Sequence, residues 1–152
     1  MLNRWQARPG AIAGIFGMVL VAALYMAHAL LLRATGHGLG APWLLLLLLP
    51  GVPAAHLSRR AGASIEREVL FAGLLTAHFA ALLQVTVLAL AVLNVDWAAY
   101  SLEVGPAIGN GVRDMAIPAA VVASLVVIAV TYTGCIAAVW LGAMVYARVT
   151  NY

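Results

Sequence analysis

The stretch IPAAVVASLVVIAVTYTGCIAAVWLGAMVY, from Ile117 to Tyr146, runs for thirty residues without a single Asp, Glu, Lys, Arg or His. A hydrocarbon core about 30 Å thick is crossed by roughly 20 apolar residues in helical form. This stretch exceeds that length and leaves room for tilt or protrusion. Its apolar residues do not alternate, so a strand of a membrane barrel is excluded. In lipid every backbone group must find a partner inside the segment, which leaves the helix.

Working outward, three more runs repeat the pattern. Val69 to Leu93 is apolar throughout apart from Thr76, His78, Gln84 and Thr86, and Ala11 to Leu32 carries only His28. Pro42 to Leu57 is shorter and is interrupted by Pro50 and Pro53. The expected fold is therefore an all-α integral membrane protein. Four transmembrane helices, at approximately 10–33, 42–57, 64–94 and 115–147, form one bundle over 1–152, with an outer loop at 95–114. Arg4 and Arg8 precede the first run as they would precede a signal peptide. The run is long for a signal core, however, and reads as a retained first helix.

The bulk composition agrees. Apolar residues make up 65% of the chain, charged residues 9%, and mean hydropathy is +1.04. Soluble domains hold about 25% charged residues, so a soluble enzyme, a disordered chain and a nucleic-acid binder are all excluded. The eight basic residues are all arginine, and an Arg- and Ala-rich chain without lysine points to a GC-rich bacterial genome. Cys135 is the one cysteine and cannot form an internal disulfide.

The arginines sort by side. Arg4, Arg8, Arg59, Arg60, Arg67 and Arg148 fall on one side of the expected topology, and Arg33 and Arg113 on the other. Positive loops stay inside, so both termini are expected in the cytoplasm and the location is a bacterial inner membrane. Pro9 and Pro42 suit helix starts. Ser64 is expected to cap the third helix, with Glu66 and Glu68 at its positive end, and Asp114 the fourth, with Pro118 in its first turn. Trp5, Trp43, Trp97, Tyr100, Tyr146 and Tyr152 lie near run ends, as interfacial aromatics do.

Small residues mark where membrane helices touch. Gly10, Gly14, Gly17 and His28 share one face of the first helix. Gly73, Ala77 and Gln84 share one on the third. Gly134, Ala138 and Gly142 share one on the fourth, at four-residue spacing. These faces serve internal packing or dock another subunit. Gln84 is expected to hydrogen-bond across helices.

Chemistry is sparse. No Asp, Glu or Arg falls mid-span, which argues against a proton-driven pump. His56 and His78 are the only histidines that could match in depth for a haem or metal, although hydrogen bonding to neighbouring helices explains them as well. No cofactor is predicted, and no residue is assigned to a metal. Arg59, Arg60 and Arg67 could hold anionic lipid head groups. Asn110-Gly111 reads as a turn in a Gly-rich outer loop. No serine has histidine and carboxylate company, so no catalytic residue is assigned.

The expected function is a non-catalytic accessory subunit of a larger inner-membrane complex. Its partners would be other integral membrane subunits and lipids. A homo-oligomeric channel or carrier, using the broken second helix or the outer loop, is the alternative. A haem- or quinone-binding subunit is the third reading.

Overall fold

The computed structural model describes residues 8–96, 102, 103 and 105–150. Trp5, Trp97, Tyr100, Tyr152 and Arg4 lie outside the described residues. Helix α1 spans Pro9–Thr35, a 3-10 helix Ala41–Leu48, α2 Gly51–Ala61, α3 Ile65–Leu93 and α4 Pro106–Val149. No strand occurs among the described residues. Three of these helices, α1, α3 and α4, are long and apolar enough to cross a membrane.

The second run, expected as a short helix over 42–57 broken by Pro50 and Pro53, forms two pieces, the 3-10 helix and α2, and continues to Ala61. The cause is local. Pro50 and Pro53 have no N–H to donate, so the i→i−4 ladder cannot run through them. The leucine run tightens instead into 3-10 geometry, with the Leu49 N–H donating to the Leu46 carbonyl. Beyond Pro50 the ladder restarts, the Ala54 N–H reaching the Pro50 carbonyl. At about 2.0 Å and 1.5 Å per residue, the two pieces each span about 16 Å.

The fourth helix starts nine residues before the expected 115. Pro106 is its first residue, following Gly105 at φ 91°. Gly109, Asn110 and Gly111 lie inside it, so the expected turn and half of the expected loop at 95–114 are helical. Asp114 is not a cap, and Pro118 is interior rather than in the first turn. Gly36 ends α1 and Gly62 ends α2, both in the left-handed region that costs glycine nothing (φ 72° and 63°).

The chain divides into two compact units. The larger comprises residues up to Ala80 together with Thr131 onward, and the smaller Ala81–Val130. In the larger unit, Ala13, Ala54, Ala55, Val69, Ala72, Val139 and Ala143 form a core drawn from all four α-helices. Contact pairs fix the directions. Gly10 meets Glu68 and Gly17 meets Thr76, so α1 and α3 run parallel. Gly73 meets Ile136 and His78 meets Tyr132, so α4 runs antiparallel to α3. Gly51 meets Val139 and His56 meets Tyr146, so α2 runs parallel to α4. The composite segment therefore carries the chain back from the far end of α1 to its near end. Arg8, Arg59, Arg60, Arg67 and Arg148 all gather at that near end, as the charge pattern requires.

In the smaller unit the side chains are largely uncovered. On α4, Ile117, Val121, Val122, Leu125, Val126 and Val130 are exposed, and on α3 so are Leu82, Val87, Leu90 and Leu93.

Candidate functional site

The near end of the larger unit gathers polar contacts between helices. Pro9 opens α1 without a side-chain cap, so the first N–H groups of that helix need acceptors. One comes from 58 residues away: the Glu68 carboxylate accepts the Gly10 N–H through Oε2 at 2.8 Å. Glu68 is only 8% exposed. Its carboxylate sits at the positive end of α1 while its backbone belongs to the first turn of α3, so both helix dipoles favour its charge. The Ser64 carbonyl accepts the Glu68 N–H at 3.1 Å. The sequence places Glu68 only as a local dipole partner of its own helix, and nothing local identifies the far helix it reaches.

Alongside, α2 and α4 are joined by polar side chains. His56 Nδ1 and the Tyr146 hydroxyl share a hydrogen bond of 2.5 Å, with the rings edge-on at 86°. Arg59 lies 5.7 Å from the Tyr146 ring centroid and donates to Thr150 Oγ1 at 2.7 Å. Replacing Tyr146 with Phe is expected to lower stability by about 1 kcal/mol, the net worth of one such bond. Thermal unfolding in detergent reads it, and an unchanged melting temperature would show the bond to be idle.

A second pair of the same kind lies deeper. His78 Nδ1 and the Tyr132 hydroxyl are 2.7 Å apart, rings at 83°. Tyr132 and Tyr146 are fourteen residues apart on α4, about 21 Å along its axis. His56 and His78 therefore do not come together, and each has a tyrosine partner that the sequence reading missed. A signal was present: at four turns' separation the two tyrosines share one face of α4. Among the described residues no group of three His, Cys, Asp or Glu gathers as metal ligands would.

The glycine faces resolve unevenly. A Cβ at Gly10 would strike the Glu68 carbonyl oxygen, one at Gly14 the Leu75 side chain, and one at Gly17 the Thr76 side chain. The α1 stripe is thus occupied internally by α3. A Cβ at Gly73 would come within 3.2 Å of Ile136 Cα. Gly142 packs on the Leu48 carbonyl and Gly51 on the Val139 carbonyl, so the break between the 3-10 helix and α2 lies directly on α4. Ala77 is fully buried, and Ala138 and Gln84 are half-buried. Gly134 is different: it is exposed, and a Cβ there meets nothing. Gly134→Ala is expected to shift stability by no more than about 0.5 kcal/mol in the destabilising sense, since the helix favours alanine and no neighbour objects. A large loss on thermal unfolding would contradict this packing. His28 is exposed, and its ring packs on Gly38 while Nδ1 accepts the Leu39 N–H at 3.0 Å. It pins the segment leaving α1 rather than joining the glycine contact.

An open groove of about 230 Å³ lies between α3 and α4, lined by Ile65, Val69, Trp140, Ala143, Met144 and Ala147, with Glu66 at its edge. Arg60 and Arg67 are exposed, and Arg59 is engaged by Tyr146 and Thr150.

Among the described residues every regular element is a helix, and three helices are long and apolar enough to span a membrane. Comparison with known protein families, with characterised proteins and with solved structures finds no match.

Proposed function

We propose that this chain is a non-catalytic accessory subunit of a larger bacterial inner-membrane complex, with both termini in the cytoplasm. The observation that carries the reading is the bare apolar surface of the smaller unit. From Ile117 to Val130, the exposed large side chains on α4 cover an arc of about 220° at about 100° per residue. A helix packed on one core shows an apolar stripe of about 100° and a polar remainder. An arc twice that width needs lipid or other helices on several sides. The small-residue faces of α1 are already taken by α3, so further partners would meet bulky side chains on α3 and α4.

Extraction from native membranes into a mild detergent, followed by mass measurement, tests the assignment. A particle of fixed composition containing another integral membrane chain is the expected result. A particle accounted for wholly by copies of this chain would overturn it.

Arg60 and Arg67 would meet anionic lipid head groups at the cytoplasmic face, each contributing about 1 kcal/mol. The double substitution Arg60→Gln/Arg67→Gln is expected to reduce the anionic lipid retained in native mass spectrometry. An unchanged lipid count would refute the head-group assignment.

A further inference from the structure

We propose that the His78–Tyr132 pair is the self-complementary contact of a twofold dimer, its occupant a second copy of this chain. His78 stands thirteen residues into α3, about 20 Å along the helix, and is exposed. In a bilayer that depth lies in the hydrocarbon core, where neither water nor a lipid head group can serve a polar atom.

The pair's own chemistry fixes what it presents. Among the described residues the Tyr132 hydroxyl has one hydrogen-bond partner, His78 Nδ1, and the bond is assigned with the hydroxyl donating. With Nδ1 accepting, the neutral ring carries its hydrogen on Nε2, at the ring edge away from Tyr132. One surface therefore offers an N–H donor and, beside it, a phenolic oxygen with a lone pair to spare. A donor and an acceptor at one depth are what a twofold interface needs. An axis along the membrane normal leaves depth unchanged, so each Nε2–H meets the other copy's Tyr132 oxygen. The result is a closed ring of four hydrogen bonds with every polar atom served. Leu74, exposed one turn before His78, would extend the contact with apolar surface.

The inference goes beyond the proposed function and rests only on insertion in a bilayer. It is tested on purified full-length protein in phosphatidylcholine–phosphatidylglycerol vesicles, in a Cys135→Ser background, with a short bismaleimide cross-linker. Leu74→Cys is expected to give a strong dimer band. Gly134→Cys, about 160° round α4 from Tyr132, is expected to give little. Adding Tyr132→Phe keeps the ring and removes the hydroxyl. It is expected to weaken dimerisation about tenfold, the sum of two modest intramembrane hydrogen bonds. Equal cross-linking at Leu74→Cys and Gly134→Cys, or a Tyr132→Phe protein that dimerises as strongly as its parent, would overturn the proposal. A monomer in vesicles would do so while leaving a mixed complex in native membranes untouched.

Discussion

Gly142→Val is expected to cost this fold on the order of 3 kcal/mol or more, at the upper end of what overpacking does. The added Cβ would collide with the carbonyl oxygen of Leu48, and a backbone atom cannot rotate aside. Leu48 is the last residue of the 3-10 helix, held by the turn into Pro50 and Gly51. Gly51 in turn packs on the Val139 carbonyl and the Ala143 N–H. The two glycines thus form one backbone-to-backbone crossing, and enlarging either one pushes the composite segment off α4. Gly51→Val should behave alike, and the pair together should be far less than additive because both remove the same contact. Gly17 offers the contrast. Its Cβ would strike the Thr76 side chain, which can turn away at the cost of its 2.9 Å bond to the Ala72 carbonyl, so Gly17→Ala should cost less than Gly142→Ala. Melting in detergent, followed by size-exclusion profile, ranks them. A Gly142→Val protein with the parent's melting temperature would rule out the crossing.

Glu68→Ala carries the second large effect, about 1.5–3 kcal/mol, the range for a hydrogen bond to a charged group. It strips the acceptor from the Gly10 N–H and removes a negative charge from two helix N-termini together. Glu68→Gln keeps an oxygen for Gly10 and loses only the charge, so it should recover about half of the loss. The same stability measurement decides between the variants. Equal damage from Ala and Gln would mean that charge alone matters, and no damage from either would dissolve the clasp. Hydrogen exchange adds a local reading, because the Gly10 amide should exchange faster in both variants.

Much of this architecture is legible in the residues. The uncharged runs give the three long helices. The spacing of Gly10, Gly14 and Gly17 gives the close face of α1, and the distribution of arginine gives the end at which five of them gather. What escapes reading is long-range or cooperative. Glu68 looks like an ordinary first-turn acid because its partner lies 58 residues away. The helical turns from Pro106 to Asp114 look like loop because Gly109 and Gly111 are each poor helix formers, by about 1 kcal/mol. Yet extending an existing helix needs no new nucleus, and Pro106 supplies a start that the later glycines do not undo. The Pro50–Pro53 break is plain in sequence, but its consequence, a 3-10 turn seated on Gly142, depends on a helix ninety residues on. Of the histidines, the place along each helix is readable. The tyrosine on the facing helix is not, since only the fold brings Tyr132 to His78 and Tyr146 to His56.

The core of the larger unit is built mostly from alanine, and this inverts the usual experiment on a protein interior. Cores are ordinarily probed by cutting side chains down and measuring the hole left behind. Ala13, Ala54, Ala55, Ala72 and Ala143 have one methyl group each to give up, so truncation has almost nothing to remove. Alanine also loses no rotamer freedom on burial, which means the helices come together without freezing side chains. Their separation is set by backbone thickness. The tolerance of this interior is therefore one-sided: almost every replacement enlarges it, and an upward scan, to serine, valine and leucine in turn, measures how far each pair of helices can be driven apart before the assembly of the four is lost.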